Sequence, residues 1–196
     1  MIDQEPKARF HPRGERAFSV PELATRSLQS LCRSRWLGSV EDMTDKKITV
    51  ERTIQAPTAT VFDVLSNPKR HVELDGSGFV KGDIGSNRIQ QVGDVFTMDM
   101  NGDHMGGDYQ TENHVTGYSP NQLLAWQTAP AGQQPPGWQW VWELEAEGSE
   151  ATKVRHTYDW SNVTDPELLK KISFPLVSQA QLEDTLTNLD QAVTGS

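Results

Sequence analysis

The chain has 196 residues and a mass of 21.9 kDa, the size of one ordinary domain or of one such domain with a tail, which argues against two full enzyme domains. Hydrophobic residues make up only 35%, so a small core must draw on six Trp and six Phe, and a formal charge of -9 argues against phosphate backbones and anionic lipid as partners. Cys32 stands alone, which excludes an intrachain disulfide and a cysteine zinc site, and no apolar run approaches the ~18 residues of a membrane span.

These features lead us to expect a soluble, cytoplasmic protein with no nucleic-acid partner and no membrane insertion. Residues 1–42 carry seven basic and six acidic groups, so the net acidity belongs to the rest of the chain. Arg26, Arg33 and Arg35 with Leu23, Leu28, Leu31 and Leu37 fit a short amphipathic helix of the transit-peptide kind. The plainer expectation is a flexible extension over 1–43, with Met43-Thr44-Asp45 resembling a natural start and one domain at 44–196.

From Lys47 the pattern becomes regular. Ile48, Val50, Arg52 and Ile54 alternate with Thr49, Glu51, Thr53 and Gln55 in the two-residue period of a strand, and Ala56-Pro57 stops it. Thr58 is the expected N-cap of a short helix burying Val61, Phe62 and Leu65, and Pro68 opens a second through His71 and Leu74 to the Asp75-Gly76-Ser77-Gly78 turn. Six antiparallel strands are then expected: near 84–90, then 94–100, 109–118, 123–128, 137–145 and 152–160. Their turns are Asn101-Gly102, Ser119-Pro120-Asn121, the Pro/Gly run 129–137 and Glu147-Gly148-Ser149. After Asp165-Pro166 a helical pattern is broken near Phe174-Pro175, and Leu182, Leu186, Leu189 and Val193 then share the face of a long last helix.

This is an α+β plan of about seven strands in a curved antiparallel sheet, with two short helices after the first strand and a long C-terminal helix to cover one face. The segments Ile48 to Pro57 and Val61 to Pro68, the Gly93-Asp94-Val95-Phe96 strand start, His71 with Asp75 to Gly78, and His156 to Ser161 together resemble the polyketide cyclase/dehydrase and lipid-transport family, the SRPBCC group of the START-like or Bet v 1-like helix-grip superfamily. The resemblance runs from about residue 46 to the end. It implies a helix-grip fold; it does not imply one activity, because the family holds carriers, cyclases and members with no assigned reaction.

Strand phase sorts the side chains. Phe96, Met98 and Met100 share a face, as do Trp138, Trp140, Trp142 and Leu144, and Val154, His156, Tyr158 and Trp160; the opposite faces carry Glu143, Glu145, Lys153, Arg155 and Asp159. The uncharged sets must face the helix. They form either a solid core or the wall of a cavity for an apolar or planar guest, which wide rings and pliable Met suit. The phase of Trp126 is open, and Asn113, in phase with Tyr109, Thr111 and Val115, can offer an inward donor.

His156 is either a general base or an imidazole hydrogen-bonded to Tyr158 or backbone, and Tyr158 either steadies an enolate or is an amphipathic wall. His71, Asp75 and His104 are expected at the cavity entrance, the last on a Gly-rich flap over 101–108, whose Asp103, His104 and Asp108 lack a recognised metal spacing. Neither a metal nor a cofactor is expected. Three functions follow: a carrier or binding protein for a polyketide- or lipid-like molecule, a cyclase/dehydratase using His156 and Tyr158 on a poly-β-ketone, or a protein-interaction module of the chaperone-activator type. A monomer or homodimer fits each.

Overall fold

The structure is a computed structural model that describes residues 46–195. The amphipathic pattern over 23–37 and the expected boundary at 43/44 lie outside the described residues. Seven strands form one antiparallel sheet in the order β1-β7-β6-β5-β4-β3-β2: β1 Lys47–Ile54, β2 Val80–Asp83, β3 Val95–Gly102, β4 Gly107–Ser119, β5 Leu123–Pro130, β6 Gln139–Ala146 and β7 Thr152–Asp159. Two short helices, α1 Thr58–Leu65 and α2 His71–Leu74, follow β1; α3 Pro166–Lys171 and α4 Gln179–Thr194 follow β7. Successive hairpins build the meander, and β1 closes it against β7.

Several boundaries differ from expectation for local reasons. The strand expected near 84–90 is β2, four residues earlier. The Asp75 carboxylate accepts the Val80 N–H and opens β2, whereas the Asp83 carboxylate accepts the Ser86 N–H and ends it. Asn101-Gly102 is not a turn but the end of β3, paired with Asp108 and Gly107; the chain reverses at Asp103–Met105, where Gly106 and Gly107 supply positive φ. Thr58 does not cap α1, whose N-cap is Pro57 with no side-chain bond. Trp138 falls just ahead of β6 and Trp160 just after β7.

Sheet curvature comes partly from a bulge in β4 between Val115 and Gly117. The long helix α4 starts at a capping box, in which the Ser178 hydroxyl accepts the Gln181 N–H and the Gln181 side chain takes the Ser178 N–H. Its buried residues Leu182, Leu186 and Leu189 join Val50, Ile54, Val61, Leu65 and Val154 in the core, and Thr185 is buried beside them. Gly76 lets the turn after α2 touch α4: its N–H donates to Thr185 Oγ1 at 3.0 Å, and a Cβ there would lie 2.3 Å from the Gln181 carbonyl oxygen. On the inner face Arg52 reaches Asp190 Oδ2 at 3.1 Å, tying β1 to α4, while on the outer face Glu51 pairs with Lys153 and Arg155. Among the described residues no helix is long and apolar enough to cross a membrane.

Candidate functional site

A cavity of about 690 Å³ lies on the concave side of the sheet, within the ~300 to 1,000 Å³ range of small-molecule sites. Trp126, Trp138 and Trp142 line it and at the same time belong to the buried core cluster. The cavity wall is laid out by strand register. At the deepest level Trp142 pairs across strands with His156; next, Trp126 pairs with Trp140 and Trp140 with Tyr158; then Asn113 pairs with Thr128, and Thr111 with Pro130 nearest the mouth. Each level is two residues, or about 6.7 Å, from the next. Beyond Trp142 and His156 the same strands carry Leu144 and Val154, which belong to the packed core.

Cross-strand pairing also stacks the rings. Trp142 lies over His156 with centroids 3.6 Å apart and planes 10° off parallel, and Trp140 over Tyr158 at 4.2 Å and 12°. His156 is 3% exposed and Tyr158 wholly buried. Burial away from any charge pushes the His156 imidazole down to about 3, so it is neutral at pH 7. Burial likewise holds the Tyr158 phenol protonated, a tendency that the nearby Leu176 backbone offsets only in part.

The expected hydrogen bond from His156 to Tyr158 or backbone is not made. Neither ring nitrogen of His156 has a partner, nor do Trp142 Nε1 and Thr111 Oγ1, and Tyr158 Oη, with the Leu176 backbone near it, makes no hydrogen bond of good geometry; all are on side chains that line the cavity. A buried polar group left unpaired costs about 1 to 3 kcal/mol, so this cluster is an exception that a packed core would not keep. Asn113 differs: it accepts the Thr128 hydroxyl at 2.7 Å and donates to the Phe96 carbonyl at 3.4 Å.

Of the remaining expected site residues, Phe96, Met98, Met100, Trp126, Trp138 and Trp140 line the cavity. Trp160 does not; it packs between Tyr158 and Phe174 behind the wall. His71 is wedged in the wall, its ring stacked on Trp126 at 5.5 Å and edge-on to Phe96 at 5.3 Å, with Nε2–H donating to the Leu65 carbonyl at 2.8 Å. Burial lowers its basicity, an effect that the Leu65 carbonyl and Asp83 partly counter. Asp75 is occupied in its turn, accepting Ser77 and Val80 N–H groups. His104 stands exposed at the mouth against Phe79 and Tyr109.

Sequence reasoning missed the far side of the site. Leu168, Lys171 and Ile172 from α3 and its end, Leu176 and Val177 after it, and Gln133 and Gln134 before β6 complete the wall and rim. Strand period carries no information about these segments. Lys171 is the one lysine or arginine among the described residues that line the cavity, and it is exposed.

No family model matches the chain. An uncharacterized protein of Mycobacterium tuberculosis is 33% identical over 122 residues, covering 62% of this chain and 51% of that protein. The chain thus spans about half the length of the curated relatives it matches. Among solved structures, a protein of Mycobacterium smegmatis superposes with a TM-score of 0.56 at 14% identity, over 76% of this chain and 92% of that one. Truncated norcoclaurine synthase of Thalictrum flavum gives 0.53 at 17%, over 77% and 94%, and an AHSA1-like protein of Aeromonas hydrophila 0.52 at 17%, over 76% and 92%. Such identities speak for architecture and not for chemistry. Curved sheet, paired short helices and closing C-terminal helix together give this chain the helix-grip α+β fold.

Proposed function

We propose that residues 44–196 act as a carrier or binding domain that encloses one small apolar or aromatic molecule, polyketide- or lipid-like, between the sheet and the C-terminal helix. The observation that carries this reading is the void of about 690 Å³ walled by Trp126, Trp138, Trp140 and Trp142. Burial of apolar guest surface at roughly 25 cal/mol per Å² supplies the driving force. Pliable Met98 and Met100 let the wall follow a guest's shape.

The cyclase alternative asks His156 to take a proton from carbon. A base works best when its pKa lies near the operating pH, and burial holds this imidazole near 3. Tyr158, held protonated, is a donor and not a base. The chemistry of the wall therefore favours binding over proton abstraction.

The test is a titration with N-phenyl-1-naphthylamine, an uncharged apolar fluorophore. Saturable binding of one equivalent is expected, with quenching of Trp emission and a rise in Tm that grows with ligand concentration. Native mass spectrometry of freshly purified protein is expected to show a bound small molecule. If the probe neither saturates nor stabilises and no molecule co-purifies, the binding reading fails and the interaction-module alternative comes forward.

A further inference from the structure

The polar atoms of the wall are not spread evenly. The charged side chains of the wall are Lys171 and Asp165, both exposed, and Asp75, half-buried and engaged by Ser77 and Val80 in its turn. At the two deepest levels the polar groups are neutral and unpaired: Trp142 Nε1–H can only donate, the neutral His156 ring offers one donor and one acceptor, and Tyr158 Oη–H does both. Each of these three side chains is more than nine-tenths buried and lines the cavity. Donors outnumber acceptors, and no lysine or arginine is there to neutralise an anion.

We propose that the deep end of the cavity is a hydrogen-bonding subsite for one uncharged oxygen function of the guest, a carbonyl or a phenolic hydroxyl, engaged by Tyr158, Trp142 and His156. The proposal rests on the binding reading above and adds the chemical class of the guest and its orientation. A planar ring bearing the oxygen enters first and lies along the Trp126, Trp140 and Tyr158 level. Any negative end of the guest stays outside, within reach of Lys171. A carboxylate sent inward would lose its hydration and meet only neutral donors, a cost of several kcal/mol that hydrogen bonds alone do not return.

The four polar atoms of Trp142, His156 and Tyr158 are withdrawn from solvent, so the guest oxygen reaches them only as side chains yield. Met98 and Met100, on the same cavity, are side chains able to yield. Pairing atoms buried in this way makes the polar contact a larger contributor to affinity than an exchange of one solvated hydrogen bond for another.

Four naphthalenes of nearly equal size form the test: 2-methylnaphthalene, 2-naphthol, 2-acetonaphthone and 2-naphthoate, titrated at pH 7.5 by calorimetry. We expect 2-naphthol and 2-acetonaphthone to bind at least ~10-fold tighter than the hydrocarbon, and 2-naphthoate to bind more weakly than the hydrocarbon. Tyr158→Phe and His156→Leu are each expected to erase most of the oxygen preference, read within each variant as the ratio of 2-naphthol to 2-methylnaphthalene affinity, with a cooperative thermal unfolding transition checking that each variant is folded. Equal binding of all four, tightest binding of the carboxylate, or an oxygen preference unchanged in both variants overturns the subsite and leaves the binding reading standing. Failure of all four to bind overturns both.

Discussion

One strand crosses two different interiors. At its start, β7 places Thr152 and Val154 opposite Ile54 and Arg52 of β1 and Ala146 and Leu144 of β6, against helices that carry Val61, Leu65, Leu186 and Leu189. There the side chains are mostly aliphatic, and the buried Thr152 hydroxyl has a partner in the Ala56 carbonyl at 2.7 Å. Four residues on, β7 places His156 and Tyr158 among stacked indoles, with polar atoms unpaired and a void beside them. The first half is aliphatic with its buried hydroxyl paired; the second is aromatic, borders the cavity and holds buried polar atoms without partners.

Core truncation separates the halves most sharply. Leu186→Ala, in the aliphatic half, is expected to cost about 2 to 5 kcal/mol in urea unfolding, because close-packed neighbours cannot fill the hole. Similar losses from truncating the aromatic half would show that the two interiors are alike.

Acid is expected to act through the open half. Above the ordinary histidine value of 6.5 the His156 ring is neutral in both folded and unfolded chains. As pH falls below 6.5 the unfolded chain takes up a proton that the fold refuses until about 3, so stability drops by up to about 1.4 kcal/mol per pH unit. His71, lowered in the same direction, adds to that slope. His156→Leu should shallow the slope in unfolding measured from pH 7 to 4 and leave the share of His71. At pH 7 the same variant should be more stable by about 1 kcal/mol, since it removes two unpaired polar atoms. A steeper acid slope, or lower stability at pH 7, would mean the imidazole is satisfied in the fold.

Much of this contrast is legible in the sequence. The alternation in Ile48 to Ile54 and Val154 to Trp160 identifies inner and outer faces, and glutamates and lysines mark the outer one. Asn121 takes the positive φ that its turn requires. Other features are hidden because they depend on residues distant in the chain. Asn101-Gly102 has the composition of a turn, yet Gly106-Gly107 offers a better one five residues later. Trp160 has the phase of a lining residue but lies past the end of β7, where the chain turns away behind Phe174. Nothing in Leu168 or Leu176 distinguishes a cavity wall from an ordinary core contact.

Two smaller effects refine the comparison. Trp140→Leu, in the open half, should cost only about 1 kcal/mol, the worth of its stack on Tyr158. It should still weaken N-phenyl-1-naphthylamine binding about tenfold in a fluorescence titration, which an aliphatic-half variant would not do. Deleting residues 1–42 should change neither Tm nor probe affinity measurably; a clear loss in either would extend the domain beyond 44–196.

The partnership of β1 with β7 also governs how the chain is made. Thr49 and Thr157, joined through their hydroxyls, lie 108 positions apart, and such distant pairing slows folding because a long loop must close before any contact rewards it. On the ribosome β1 emerges well before its partner and waits, its apolar face uncovered, until residues 152–159 have been synthesised. A nascent chain halted before residue 152 is therefore expected to be a client of chaperones, and emergence of β7 and α4 to be the event that lets the domain close.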